Sequence, residues 1–204
     1  GERRLAIESY QQAIAMKPTF KEAHINLGNA RFEVGDFDFA IKSFKHAIEI
    51  APRCAQSHTC LGDAHHSQGN LESAIKSYRT AVHIKPDFQL AHFNLGCVLE
   101  KKFDFHNAID HYKQVLSFNS QHTESLNRLG IVLNRIGDFI SASEFLRRAI
   151  EFRPDWSEAL NNQGNSFLGL GDISSAHDSY TRALAIDPSY AEALSNIAIT
   201  FFKK

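Results

Sequence analysis

The 204-residue chain carries 22 basic and 23 acidic side chains, a net charge of -1, and is 43% hydrophobic. That balance gives no reason to expect nucleic acid or an anionic membrane as the main partner, and no apolar run approaches the roughly 20 residues of a membrane span. No signal-peptide pattern opens the chain, and Cys54, Cys60 and Cys97 lack CxxC spacing, so they read as free thiols in a reducing, cytoplasmic setting.

In chain order, residues 1–20 read as one helix closed by Pro18. The segment "KEAHINLGNARFEVGDFDFAIKSFKHAIEIAP" (21–52) reads as two more. Its first helix carries Ala23, Leu27, Ala30 and Val34 at steps of three and four. Gly35 then supplies permissive turn backbone, and Asp36 stands where it would cap the second helix. Ala40, Ile41, Phe44, Ala47 and Ile48 form the apolar face of that second helix, which Pro52 stops.

The same pattern returns every 34 residues. Pro18, Pro52, Pro86, Pro154 and Pro188 lie on that grid, with Ser120 in the one place lacking proline. Gly28, Gly62, Gly96, Gly130 and Gly164 form a second column, which Ala198 continues. Ala6, Ala40, Ala74, Ala108, Ala142 and Ala176 form a third. A fourth holds the rings of Tyr10, Phe44, Tyr78, Tyr112 and Tyr180, with Leu146 as the substitute. The predicted organisation is a single array: a lone second helix over 1–20, full repeats over 21–54, 55–88, 89–122, 123–156 and 157–190, and a lone first helix over 191–204. No helix here can bury its stripe alone, so each pair must stack on the next.

These residues resemble the tetratricopeptide repeat, whose pattern runs W-x2-L-G-x2-Y, then A-x3-F, then P. "HINLGNAR…AIKSF…P" (24–52), "HTCLGDAH…AIKSY…P" (58–86) and "LNNQGNSF…AHDSY…P" (160–188) carry the resemblance, which extends over the whole chain. It implies an all-α, right-handed superhelical solenoid of antiparallel helix pairs, working as a non-catalytic protein–protein interaction scaffold. Departures from the pattern are His24, His58 and His92 in the tryptophan column, Gln163 for leucine, and Phe103 for the turn glycine. The histidines read as packing residues with one ring nitrogen hydrogen-bonded, and Phe103 as a local change of turn.

The decapeptide "CLGDAHHSQG" (60–69) invites a metal reading. His65 and His66 point about 100° apart on a helix and cannot chelate one ion together. Asp63 and His66 could share a face, with Cys97 as a third ligand, but ordinary polar groove residues are the preferred reading. No nucleophile elbow, phosphate loop or HExxH occurs, so neither enzymatic activity nor a cofactor is expected.

In arrays of this kind the first helix of each pair lines the concave surface, which places the groove on columns two, five, six, nine, twelve and thirteen of each repeat. Column six reads Asn26, Cys60, Asn94, Arg128, Asn162 and Asn196. It resembles the asparagine ladder in the arrays of O-linked N-acetylglucosamine transferases, where such side chains hold an extended peptide by its backbone amides. A carboxamide has both donor and acceptor, so it pairs with a peptide unit of any sequence. Glutamates of column two (Glu22, Glu124, Glu158, Glu192) suit a first helical turn and read as structural. Lys101, Arg128 and Arg135 then make a basic stretch among Asn94, Asn127, Asn134, Asn161, Asn162 and Asn165, suited to an acidic side chain or free carboxylate. No three successive repeats supply the lysines of a chaperone-tail clamp.

The expected partner is therefore an extended protein or peptide segment, with no nucleic acid and no membrane. One alternative makes the array the substrate-recognition arm of a larger enzyme, such as a glycosyltransferase. Another is a self-assembling scaffold in which "SNIAITFF" (195–202) packs head to tail on the N-terminal helix of a second copy.

Overall fold

The computed structural model describes residues 2–202; residue 1 and residues 203–204, assigned above to the flanking half-repeats, lie outside the described residues. Every regular element among them is helical. Two compact units make up the chain, one ending at Phe103 and the other beginning at Asp104. The first holds α1 (Glu2–Met16), α2 (Lys21–Glu33), α3 (Phe37–Ile50), α4 (Ala55–Ser67), α5 (Leu71–Ile84) and α6 (Gln89–Lys101). The second holds α7 (Phe105–Phe118), α8 (Thr123–Ile136), α9 (Phe139–Phe152), α10 (Ser157–Gly169), α11 (Ile173–Ile186) and α12 (Ala191–Phe202).

Consecutive helices pack as pairs: α2 with α3 and α4 with α5 in the first unit, α8 with α9 and α10 with α11 in the second. What closes each pair is a bulky side chain, a ring in three of the four, seated on a glycine. A Cβ added at Gly62 would lie 2.5 Å from the Tyr78 ring, and one at Gly164 would lie 2.4 Å from Tyr180. The Phe44, Tyr78 and Tyr180 side chains are fully buried as a result, each worth about 2–3 kcal/mol of apolar transfer. Leu146 takes the same place over Gly130.

First helices also touch along each unit: α2 meets α4 and α4 meets α6, while α8 meets α10 and α10 meets α12. Within each unit, second helices make no comparable contact with one another among the described residues. First helices crowd on one side of each unit and second helices spread on the other, so the first-helix side is the inner face. Expected packing holds along the second-helix stripe, where Ala40, Ile41, Phe44 and Ala47 are buried. Val34 departs from the expected stripe: it is the C-cap of α2, past the last helical turn, and is 47% exposed.

Asp36 also departs from expectation. It sits at the N-cap of α3 but makes no side-chain cap bond; its carboxylate instead accepts from Arg31 at 3.0 Å. A nearby guanidinium outcompetes a backbone amide for the same oxygens. Asn70, Asp138 and Asp172 do cap their helices, accepting from the amides of Ser73, Ser141 and Ser175.

The "KKFDF" turn is not altered. Phe103 has φ 63°, in the same left-handed region as Gly35, Gly69, Gly137 and Gly171 at 78–86°. The i→i−3 bond from Phe103 N–H to the Glu100 carbonyl matches that from Gly35 to Phe32. A phenylalanine held there stores about 1–2 kcal/mol of steric strain, while its ring stays 74% exposed.

Two substitutions follow from these contacts. Gly62→Ala would drive a methyl into Tyr78 and is expected to destabilise the fold by about 2 kcal/mol, read as a lower urea midpoint at unchanged m-value. Gly69→Ala, at a left-handed backbone of φ 80° with open space around it, is expected to destabilise by about 1 kcal/mol through backbone strain alone; a midpoint at or above wild type would contradict it.

Candidate functional site: the first-helix face

The histidines in the fourth column are the simplest case. His24, His58 and His92 each set Nε2 at 2.9–3.0 Å from a carbonyl six residues earlier, that of Pro18, Pro52 and Pro86. A carbonyl only accepts, so Nε2 carries the proton and donates. These residues pin the loop that precedes each first helix, as expected of packing residues with one bonded nitrogen. Leu126, Leu160 and Leu194 hold the column in the second unit without such a bond.

On the inner face of the second unit, six predicted residues fall into two hydrogen-bonded webs, one holding Asn127, Asn134 and Asn162 and the other Asn161, Asn165 and Asn196. Asn127 and Asn161 are buried, at 1% and 4% exposure. Asn127 Nδ2 donates to Glu158 Oε1 at 3.2 Å, which turns its Oδ1 toward Asn162 Nδ2 at 3.1 Å. Because a carboxylate only accepts, this orientation of both amides is fixed. Asn134 Nδ2 donates to the Asn162 carbonyl at 3.0 Å, and its Oδ1 accepts from Ser166 at 2.9 Å. Asn196 Nδ2 reaches Asn161 Oδ1 at 3.0 Å and Asn165 Oδ1 at 3.2 Å. Arg128 is half-buried and Arg135 exposed, with its guanidinium 6.0 Å from the Phe105 ring centre.

On the inner face of the first unit, Asn26 and Lys101 are exposed and Asn94 is half-buried. Asn94 Nδ2 donates to Asp63 Oδ1 at 2.7 Å, and the Tyr78 hydroxyl donates to the same oxygen at 2.6 Å. Burial pushes the Asp63 carboxyl pKa upward, although both of these bonds and the His66 charge oppose the shift. Burial and the Lys101 charge push His66 downward. Cys60, in the asparagine column, has its thiol pushed up to about 12, chiefly by burial. Asp63, His66 and Cys97 line one cleft of about 280 Å³. Among the described residues no three His, Cys, Asp or Glu side chains are grouped as a metal would require.

Two contributors escaped the sequence reading. Asp63 is an acceptor between repeats, a role signalled only by its fifteen-residue spacing from Tyr78, repeated by Asn165 and Tyr180. Glu158 is more than a dipole-compensating residue, since it orients Asn127.

Family comparisons agree with this architecture. One model described as a TPR repeat matches residues 4–35, 62–102 and 164–204. Models described as the tetratricopeptide repeat match 22–54, 90–122 and 123–153. The chain belongs to the tetratricopeptide repeat family. This tetratricopeptide repeat chain also resembles solved structures at the level of fold. YrrB, described as a TPR protein with an unusual peptide-binding site, aligns with a TM-score of 0.81 at 20% identity, over 93% of this chain and 97% of that one. MamA aligns at 0.76 and 23% identity, over 81% and 97%. A tetratricopeptide repeat protein from Parabacteroides merdae ATCC 43184 aligns at 0.80 and 19% identity, over 90% and 73%. A comparison with curated protein sequences finds no match. No described helix is long and apolar enough to cross a membrane.

The raised Asp63 pKa has a definite sign for stability. Below the unfolded value of about 3.9 the carboxyl is neutral in both states and costs nothing. As pH rises through the raised folded value, ionisation in the native state costs stability. Asp63→Asn is therefore expected to gain melting temperature relative to wild type on going from pH 4 to pH 7, and thermal scans at the two pH values check it.

Proposed function

We propose that this tetratricopeptide repeat chain is a non-catalytic interaction scaffold that holds an extended peptide segment of a partner against its first-helix face. The supporting observation is the state of the column-six carboxamides. Asn94, Asn162 and Asn196 each spend Nδ2 on a side chain of the preceding repeat, which leaves Oδ1 without a hydrogen-bond partner among the described residues. Amides held in this way lose little entropy on binding, and their fixed oxygens suit the N–H groups of an extended chain. The reading carries forward, as a proposal, the resemblance of this column to the asparagine ladder of O-linked N-acetylglucosamine transferase arrays.

In this reading Asn26, Asn94, Asn134, Asn162, Asn165 and Asn196 contact the peptide, while buried Asn127 and Asn161 position the amides around them. Lys101, Arg128 and Arg135 supply positive charge for acidic groups of the partner. The repeat frame remains the one read from the period, with full repeats over 21–54 to 157–190.

Selection of random twelve-residue peptides displayed on phage against the purified chain tests the face directly. Selected peptides are expected to lose at least tenfold in affinity against a triple variant, Asn26→Ala with Arg128→Ala and Arg135→Ala, whose circular dichroism matches wild type. Equal affinity for the triple variant would move the binding surface away from the first helices.

A further inference from the structure

The chain builds one junction twice, with an asparagine acceptor in one copy and an aspartate in the other. In the second unit Asn165 Oδ1 accepts from the Tyr180 hydroxyl at 2.8 Å and from Asn196 Nδ2 at 3.2 Å. In the first unit Asp63 Oδ1 accepts from the Tyr78 hydroxyl at 2.6 Å and from Asn94 Nδ2 at 2.7 Å. The three columns involved are identical: ninth, twenty-fourth, and sixth of the following repeat. At the ninth position one acceptor oxygen serves both donors, and an asparagine provides it, while Asn196 Nδ2 also reaches Asn161 Oδ1. Asp63 brings a second oxygen and a negative charge that the junction does not use.

That surplus is unfavourable in the isolated chain. Asp63 is half-buried, forms no salt bridge among the described residues, and burial disfavours its charged form. His66 does not supply the missing charge, since burial and Lys101 both hold it toward the neutral imidazole. Around the carboxylate lies the cleft of about 280 Å³, walled by the Phe32 and Tyr78 rings with His66, Asn94 and Cys97. A carboxylate beside an aromatic wall is the environment that a guanidinium fills: a planar, weakly hydrated cation that stacks on a ring while its N–H fork reaches an oxygen.

We propose that this cleft is a binding site for an arginine side chain of the partner peptide, with Asp63 Oδ2 accepting from the guanidinium and Phe32 stacking against it. The inference rests on the reading of the first-helix face as a peptide groove and adds a residue preference to it. The recognised segment then carries an arginine for the first unit, in addition to any acidic group drawn to Arg128 and Arg135.

The second junction supplies the control, because Asn165 shows that asparagine sustains the same hydrogen bonds. Asp63→Asn therefore keeps the fold and removes only the charge. The probe is N-acetyl-arginine N-methylamide, titrated into the isotopically labelled full chain and followed by NMR, with the citrulline analogue as its uncharged isostere. Saturable shifts at the Asn94 side-chain amide and the His66 backbone are expected for the arginine compound. Asp63→Asn should weaken that binding at least tenfold while keeping a melting temperature no lower than wild type, and citrulline should give no saturable shift. Absence of saturation in wild type, equal binding by Asp63→Asn, or equal binding of citrulline would overturn the proposal. A single amino-acid probe does not require an extended peptide, so these outcomes are separate from those of the phage selection.

Discussion

Everything in this molecule depends on a missing methyl group. Phe44, Tyr78 and Tyr180 lie where a Cβ on the facing glycine would stand, so the two helices of a pair approach until ring meets backbone. This contact sets the separation within a pair, and with it the angle at which the next pair can stack. Leu146 over Gly130 shows that the requirement is for bulk on a bare backbone and not for aromaticity. The tyrosines add something the phenylalanine and leucine do not. Their hydroxyls extend past the glycine to the inner face, where Tyr78 and Tyr180 donate to Asp63 and Asn165. Core packing and the polar face are thus joined through single side chains.

A second layer of order comes from carboxamides bonded to carboxamides. Polar side chains between packed helices are costly unless every donor finds an acceptor. In the second unit the cost is met by two webs, one running from Glu158 through Asn127 and Asn162 to Asn134 and Ser166, the other joining Asn161 and Asn165 through Asn196. Such a web fixes rotamers that isolated surface asparagines would sample freely. An inner face that is polar and also rigid follows from packing, with no contribution from a ligand.

How much of this was legible in the sequence varies with the range of the interaction. The 34-residue period, the helix pairs and the ring column were legible because each rests on residues that recur at fixed spacing. The histidine–carbonyl bonds were legible in kind, since a histidine in an apolar column needs a partner nearby. Local competition was not: nothing in "RFEVGD" reveals that Arg31 captures Asp36 before the helix amides do. Nor does the asparagine column distinguish Asn94 and Asn162, half-buried and bonded to the preceding repeat, from Asn26, open to water. That difference depends on what the neighbouring repeat presents, which is a property of pairs of columns. The equivalence of Asp63 and Asn165 was hidden for the same reason, as it appears only when columns six, nine and twenty-four are seen to converge.

Phe103 has a consequence for how the chain comes apart. In stacked helix pairs, stability is close to a sum of terms for each unit and its neighbours, so a local cost stays local. The left-handed backbone at Phe103 places such a cost at one turn, immediately after α6. Sub-global opening takes the least stable route available, and the amides from Glu100 to Asp104 border that turn. Slow hydrogen exchange would accordingly be distributed unevenly along a chain whose repeats look alike, with a weak point at a turn whose strained residue is largely exposed.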